Sequence, residues 1–216
     1  MEQIICLAMG YVFGLFQTGF IYGRSKGIDI RQHGSGNSGS TNALRVMGVK
    51  AGLIVFMGDF LKTVIPCFLV RILFRSQPGY IYVLILCAGF GVILGHNFPF
   101  YMNFKGGKGI AASSGVIFSL VFFDWKFLAL GLITFFVALA LTKYVSFSSL
   151  CLMTGFFLEM VIFGQLNMVH NLNQSEKLES YILVGIMMVL SYIRHKDNIK
   201  RLVNGTERKI GQKKEA

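Results

Sequence analysis

The sequence predicts an all-α integral membrane protein, a single bundle of about seven transmembrane helices with the N-terminus outside and the C-terminus in the cytoplasm. Of its 216 residues, 54% are hydrophobic and 14% are charged, and the mean hydropathy is +0.60. Soluble domains carry about 25% charged residues, so this composition excludes a soluble protein. Seven spans of about 20 residues each leave little chain for a second folded unit. We therefore expect residues 1–216 to form one polytopic membrane domain.

Seven apolar segments define the expected helices in chain order. They cover residues 4–22, 49–74, 80–95, 110–123, 127–141, 150–166 and 181–193. Several are shorter than a straight crossing requires, so we expect their helices to extend into flanking glycine, serine and threonine residues. The fourth segment has the least hydrophobic start of the seven. The tetrapeptide 123–126 after it has two charges and a tryptophan, which predicts a tight turn at the water boundary.

Charge placement predicts the orientation. With the N-terminus outside, 16 of the 21 lysines and arginines fall in the cytoplasmic segments 23–50, 95–109, 143 and 194–216. The outside segments hold four basic residues, which four acids cancel. This asymmetry follows the positive-inside rule for an odd number of helices. The net charge of +11 therefore reflects topology, and it requires no nucleic-acid partner.

The cysteines and the N-terminus carry no sign of other chemistry. All four cysteines lie in apolar stretches without CxxC or Cys/His spacing, at positions 6, 67, 87 and 151. We expect buried free thiols, no metal and no cofactor. The N-terminus lacks a basic region and a small-residue cleavage site, so the first segment is expected to be a retained span.

Segment 23–48 contains the first candidate anion-binding site. Three glycines match GxGxxG, but a membrane span rather than a β-strand precedes them, which excludes a dinucleotide fingerprint. Glycines let backbone N–H groups approach an anion closely, and Arg45 offers a bidentate phosphate clamp. The alternative is a flexible interhelical loop. The candidate ligands are Gly34, Ser35, Gly36, Asn37, Gly39, Thr41 and Asn42.

Segment 95–114 contains the second candidate. Small residues and lysines run into a predicted helix N-terminus, where backbone donors and the helix dipole favour anions. The Walker A pattern is absent. The alternative is a lysine cluster at anionic lipid headgroups. The candidate ligands are His96, Lys105, Gly106, Gly107, Lys108 and Gly109.

Segment 194–211 is the third polar segment on the same predicted side of the membrane. On a helix, His195 and Asn198 are three residues apart and share a face. Taken alone, a basic tail after the last span is usually a topology and lipid-binding feature.

Three charged residues, Asp59, Lys62 and Glu159, lie in the interior of predicted spans, away from the span ends. Asp59 and Lys62 are spaced i,i+3, so we expect a structural ion pair on one helix face. Glu159 has no obvious partner in the sequence. Such groups are costly in the membrane and are functional candidates by default.

Together the three segments resemble the PlsY family of bacterial membrane enzymes. The similarity lies in GSGNSGSTNALRVMG (34–48), GHNFP with FKGGKG (95–109) and RHKDNIKRLVNGTERKIG (194–211), and it covers essentially the whole chain. The resemblance implies transfer of an acyl group from acyl phosphate to glycerol 3-phosphate in the bacterial plasma membrane. A PlsX-type enzyme would supply the acyl phosphate. Ser40, where a small alanine is expected, is a minor departure.

The resemblance also implies residue roles. Ser35, Arg45, His195 and Asn198 are expected to serve catalysis, and Glu207 is expected to be structural. The glycine loop with Lys105 is expected to hold glycerol 3-phosphate. None of the four histidines is followed five positions later by aspartate, so the His-x-x-x-x-Asp acyltransferase signature is absent. The alternative function is a membrane transporter of an organophosphate or another anion, which the multiple spans and basic loops would also suit.

Overall fold

The structure, a computed structural model, describes residues 1–76, 80–169 and 172–212, and within these ranges it contains ten α-helices and no β-strand. The all-α prediction is confirmed. The helices are α1 (Glu2–Gly14), α2 (Thr18–Ser25), α3 (Ser40–Met47), α4 (Val49–Leu73), α5 (Ile81–Asn97), α6 (Ile110–Ser119), α7 (Trp125–Thr142), α8 (Val145–Gln165), α9 (Gln174–Arg194) and α10 (Lys196–Val203). Short 3₁₀ turns lie at Ile30–Gln32 and Phe100–Met102.

Five stretches of the described chain are long and apolar enough to cross a membrane. They are Glu2–Ser25, Val49–Leu73, Ile81–Met102, Trp125–Thr142 and Val145–Gln165. Helix α6 has ten residues, a length of about 15 Å and half of a hydrocarbon core about 30 Å thick. Helix α9 has 21 residues but carries three charged residues near its start. The seven-span count and the orientation therefore stay predictions.

Helix boundaries differ from the predicted segments in three ways. Helices α8 and α9 begin earlier than their apolar segments, at Val145 and Gln174, as the expected extension into polar flanks requires. The fourth segment, predicted over 110–123, is helical only to Ser119. The first segment, predicted as one span over 4–22, is broken between α1 and α2 at residues 15–17.

Helix α5 is the centre of the bundle, and α1, α4, α6 and α9 pack around it. Nearly all of its 17 residues are buried. It has apolar residues on every face, and a helix of that kind is stable only when it is surrounded by other helices or lipid. Helix α7, by contrast, is largely exposed on the outside of the bundle.

Helices α1 and α5 approach closely because each has a small-xxx-small glycine pair at the contact. A Cβ atom on Gly10 or Gly14 would lie 2.0 or 2.3 Å from a carbonyl oxygen of α5. A Cβ on Gly91 or Gly95 would lie 2.2 Å from a carbonyl oxygen of α1. Backbone contact of this kind is typical of packed membrane helices, and it fixes the position of the α5 C-terminus, where His96 lies.

The break between α1 and α2 is held by Gln17, which is 1% exposed. Its Nε2 donates to the carbonyl of His96 at 3.0 Å, and its Oε1 accepts from the Ser38 hydroxyl at 3.3 Å. A buried amide in an apolar run needs such partners. Gln17 thereby ties the chain before α3 to the end of α5.

Candidate active site

The three polar segments meet in one cleft of about 140 Å³. A second cleft of about 450 Å³ adjoins it, since the two share Ser35, Arg45 and Lys108. The predicted residues that line the first cleft are Ser35, Asn37, Gly39, Thr41, Asn42, Arg45, Asp59, His96, Lys108, Gly109, His195, Asn198 and Glu207. Gly34 and Gly36 line the second.

Asn42 shapes the glycine-rich loop that precedes α3. Its Nδ2 lies 3.3, 3.0 and 2.9 Å from the carbonyl oxygens of Ile30, His33 and Asn37. Its Oδ1 accepts from the Ser35 N–H at 2.8 Å. Because both ends of the amide are used inside the loop, Asn42 organises the loop although it was predicted as a phosphate ligand.

Two helix N-termini open on the same cleft. Helix α3 follows Gly39 and helix α6 follows Gly109, and neither N-terminus has a side-chain cap. Gly109 has φ +82°, a left-handed conformation that glycine adopts without steric cost. Uncapped N-termini leave backbone N–H groups without intrahelical acceptors, and the helix dipole adds positive potential there. Two such N-termini beside one cleft have the donors and the potential that favour an anion.

A buried network connects the second and third segments. Lys108 Nζ donates to Asn198 Oδ1, and Asn198 Nδ2 donates to Glu207 Oε1 at 2.7 Å. Glu207 also accepts from the Ser146 hydroxyl at 2.9 Å and from Arg201 Nε at 2.7 Å. Burial raises the pKa of Glu207, but the hydrogen bonds from Arg201, Asn198 and Ser146 outweigh it, so that its pKa lies below the usual value. The network fixes the direction of both Lys108 and Asn198.

The cleft is cationic where the two helix N-termini open. Burial, followed by the nearby charge of Arg201 and the smaller effect of Arg45, lowers the pKa of Lys108 to about 8, while Glu207 opposes the change. Burial likewise lowers the pKa of Arg45, which stays protonated because the group starts from 12.5. Lys108 therefore keeps most of its charge at pH 7 and loses it in mildly alkaline solution.

His195 is a neutral imidazole at pH 7. It is 3% exposed, and burial together with the nearby Lys108 lowers its pKa to about 4. Its Nδ1 lies 2.8 Å from the Ser191 carbonyl oxygen, so Nδ1 carries the proton and donates. Nε2 is then unprotonated and can accept a hydrogen bond.

The loop before α6 divides into a supporting part and a cleft-lining part. The carbonyls of Gly106 and Gly107 accept from Arg194 Nη2, each at 2.9 Å, and the Gly107 N–H donates to the His96 carbonyl at 3.1 Å. Neither glycine lines the two clefts, and the Lys105 side chain is exposed. The structure thus brings only the end of this loop, from Lys108 onward, to the cleft.

Asp59 and Lys62 lie on α4, where Asp59 lines the cleft, and both are at most 5% exposed. Lys62 Nζ lies 2.9 Å from Asp59 Oδ1, 2.8 Å from His96 Nδ1 and 2.6 Å from the Phe16 carbonyl oxygen. The Thr18 hydroxyl donates to Asp59 Oδ1 at 3.0 Å. The two charges therefore face each other, and the cluster reaches the broken first span and the end of α5.

Several residues of the site were not singled out from the sequence, among them Gln17, Ser146 and Arg194. Gln17 gave the clearest signal, because a lone amide inside an apolar run must find a partner. Arg194 stands in the third polar segment and was there treated as one of several basic residues. Ser146 lies among small polar residues at the start of α8 and gave no signal of its own.

Comparisons with known proteins show which chains this one is similar to. Residues 4–205 match the protein-family model described as glycerol-3-phosphate acyltransferase. The glycerol-3-phosphate acyltransferase of Alkaliphilus metalliredigens is 40% identical over 215 residues, which cover 99% of this chain and 98% of the relative. That of Bacillus subtilis is 38% identical over 95% of this chain and 96% of the relative. The crystal structure of PlsY, an integral membrane glycerol 3-phosphate acyltransferase, in its glycerol 3-phosphate form has a TM-score of 0.81 and 27% identity, and the match covers 98% of this chain and 96% of that one.

Proposed function

The chain belongs to the glycerol-3-phosphate acyltransferase family, and from this premise we propose that it transfers a fatty acyl group from acyl phosphate to the 1-hydroxyl of glycerol 3-phosphate. The products are 1-acyl-glycerol 3-phosphate and phosphate, and the reaction is the first acylation of phospholipid synthesis. One observation carries the proposal. Two uncapped helix N-termini, Arg45 and Lys108 face the cleft that His195 also lines.

The cleft suits substrates that each carry a phosphate group. Backbone N–H groups at the starts of α3 and α6 offer donors at two places, and the cations Arg45 and Lys108 neutralise charge. Ser35 is exposed at the mouth of the cleft, where its hydroxyl is available to a ligand. We assign phosphate binding to these groups. Gly106, Gly107 and Asn42 support them by holding the loops in place.

The reaction needs no enzyme nucleophile because an acyl phosphate is already activated. The glycerol hydroxyl oxygen attacks the acyl carbonyl carbon, the carbonyl–phosphate C–O bond breaks, and its electron pair leaves with the phosphate. The hydroxyl proton ends on the departing phosphate, directly or through Nε2 of His195. In this scheme His195 accepts a hydrogen bond from the attacking hydroxyl and orients it. Arg45 and the helix N-termini stabilise the developing negative charge, each donor contributing roughly 10²- to 10³-fold.

The apolar wall of the cleft suits the acyl chain. Phe56 of α4, Phe135 of α7 and Val145 of α8 line it beside Ile110 at the start of α6. Phe56 is an exposed hydrophobic residue, so the wall reaches the surface of the bundle there. We place the acyl chain along this wall, with its reactive end between Arg45 and His195.

We propose the predicted topology together with this activity. In the proposed arrangement the chain forms seven crossings, counting α6 and α9 with the five long apolar stretches, and the cleft faces the cytoplasm. A bacterial plasma membrane location would give the site access to soluble glycerol 3-phosphate and to acyl phosphate from a PlsX-type enzyme. The transporter alternative is set aside because the chain belongs to an enzyme family.

The choice of acyl donor is tested with purified protein in lipid nanodiscs. We expect 1-acyl-glycerol 3-phosphate to form from glycerol 3-phosphate with palmitoyl phosphate and not with palmitoyl-CoA. Arg45→Ala, which we expect to lower the activity at least about tenfold, is measured beside it, since this change removes a cleft cation without altering the bundle core. Product from the thioester alone would refute the proposed donor.

A further inference from the structure

Lys62 has an environment that uses all of its hydrogen-bonding capacity. Its ammonium group lies 2.9 Å from Asp59 Oδ1, 2.6 Å from the Phe16 carbonyl oxygen and 2.8 Å from His96 Nδ1. An ammonium group has three N–H donors and no lone pair. The three donors therefore match three acceptors, and Nδ1 of His96 is one of them.

This contact determines the protonation of the His96 ring. An imidazolium would place an Nδ1–H against the ammonium hydrogens, so the ring is neutral and its proton is on Nε2. Asp59 cannot replace Lys62 as the hydrogen-bond partner of His96 Nδ1. Its Oδ1 is 3.8 Å from His96 Nδ1, too far for a hydrogen bond, and it already accepts from Thr18 and Lys62.

The Nε2 end of the ring lies at the loop that leads into α6. A Cβ atom on Gly107 would be 2.0 Å from Nε2, so glycine leaves the space that this end of the ring occupies. His96 also lines the cleft. Among the residues that the structure describes, none accepts a hydrogen bond from Nε2. The ring therefore borders the cleft with an N–H that no described residue uses, and this N–H is free to donate to a ligand.

We propose that Lys62 is a positioning residue: by donating to Nδ1, it holds His96 in the neutral Nε2–H form, and Nε2 then donates a hydrogen bond to a substrate phosphate. Both expected substrates carry that group, so the experiment measures each separately. The inference rests on the proposed function for its ligand. It extends the role of the Asp59–Lys62 pair beyond a structural ion pair, because the pair selects which ring nitrogen carries the proton.

The first test is ¹⁵N NMR of protein labelled at histidine, in lipid nanodiscs at pH 7. We expect the His96 ring to show a protonated Nε2 and an unprotonated Nδ1. Loss of the signals in His96→Gln assigns them, and His33→Gln, which changes an exposed histidine, is the matched control. An Nδ1–H ring or an imidazolium in the wild-type protein would overturn the inference. In Asp59→Asn/Lys62→Met, which removes both charges together, we expect the ring to become a mixture of the two neutral forms.

The second test compares Michaelis constants. His96→Leu removes the donor, and we expect the KM of one substrate to rise about 10- to 100-fold, the range for one hydrogen bond to a charged group. Glycerol 3-phosphate and the acyl donor are varied in turn to identify which phosphate is bound. His96→Gln has an amide N–H near the Nε2 position, and we expect it to restore most of the lost affinity. Equal damage from leucine and glutamine, or a fall in kcat with both KM values unchanged, would contradict the role.

Both tests still give a result if the double variant does not fold or if the enzyme uses another acyl donor. If Asp59→Asn/Lys62→Met does not fold, the wild-type spectrum and the His96 pair of variants still decide the question. The NMR measurement needs no turnover. The KM of glycerol 3-phosphate can be measured with whichever acyl donor the enzyme accepts, so failure of the acyl-phosphate proposal is distinguishable from failure of this one.

Discussion

Replacing Glu207 with alanine should increase local unfolding of residues 196–212 and also lower the activity. The carboxylate is almost fully buried and accepts from Ser146 and Asn198, which are buried too. Hydrogen bonds to a charged group contribute about 1.5–3 kcal/mol each, so these two together contribute about 3–6 kcal/mol. The Arg201 side chain is 40% exposed, and a pair exposed to that extent adds at most about 1 kcal/mol.

Hydrogen exchange followed by mass spectrometry measures this local opening. In Glu207→Ala we expect exchange of peptides covering residues 196–212 to accelerate at least about 10²-fold, the factor that roughly 3 kcal/mol gives. The amide of Ile210, which donates to the Lys143 carbonyl at 2.8 Å, lies in this region. Activity should fall by at least about tenfold, because Asn198 and Lys108 lose their fixed directions. Glu207→Gln, which retains an acceptor oxygen but no charge, should be intermediate.

The comparison variant is Asp197→Asn, which removes an acidic charge from the exposed side of α10. Its exchange should match that of the wild-type protein. If Glu207→Ala left exchange over 196–212 unchanged, the buried network would not hold this segment, and our reasoning would be wrong. The same conclusion would follow if Asp197→Asn accelerated exchange as much as Glu207→Ala.

Three further predictions concern the cleft and its loops. Arg45→Ala should lower kcat/KM at least about tenfold, and Arg45→Lys should restore it only in part because lysine lacks the bidentate fork; wild-type rates in folded Arg45→Ala would contradict the assignment. The KM of glycerol 3-phosphate should rise as the pH passes about 8, because Lys108 has a pKa of about 8 and its neutral form binds phosphate less well. Lys108→Arg should move that rise to higher pH, and a flat wild-type KM between about pH 7 and 9.5 would count against the role. Gly107→Ala should lower the thermal midpoint, because its Cβ would lie 2.0 Å from His96 Nε2, whereas Gly155→Ala, whose nearest neighbour is at 3.5 Å, should behave as wild type.

The meeting of the three polar segments could be predicted because charge asymmetry and the family resemblance place them on one side of the membrane. Ser35, Arg45, His195 and Asn198 do line one cleft, and their catalytic roles stay predictions. The composition of a segment could not distinguish residues that face the cleft from residues that hold the loop in place. Gly106 and Gly107 resemble the glycines of a phosphate-binding loop. In the structure, however, their lack of a side chain allows close packing against His96.

The bundle was predicted less well where long-range contacts decide local structure. Hydropathy treats residues 4–22 as one span, but the chain breaks at Gln17, whose amide donates to a carbonyl 79 residues away. Helix α6 ends at Ser119, although the apolar composition continues to residue 123. Local hydrophobicity measures affinity for lipid, and it does not show where a buried polar group or a turn will interrupt a helix.

The three hydrogen bonds of the Lys62 ammonium group have a consequence for how the chain inserts into the membrane and folds. Asp59 and Lys62 lie one turn apart on helix α4, so the middle of this helix enters the bilayer with its two charges paired, where an unpaired lysine would be costly. The two remaining N–H groups reach Phe16 and His96 only after the broken first span and α5 have packed against α4. We therefore expect the broken first span (α1 and α2), α4 and α5 to assemble as one intermediate during insertion, before the polar segments fold over them.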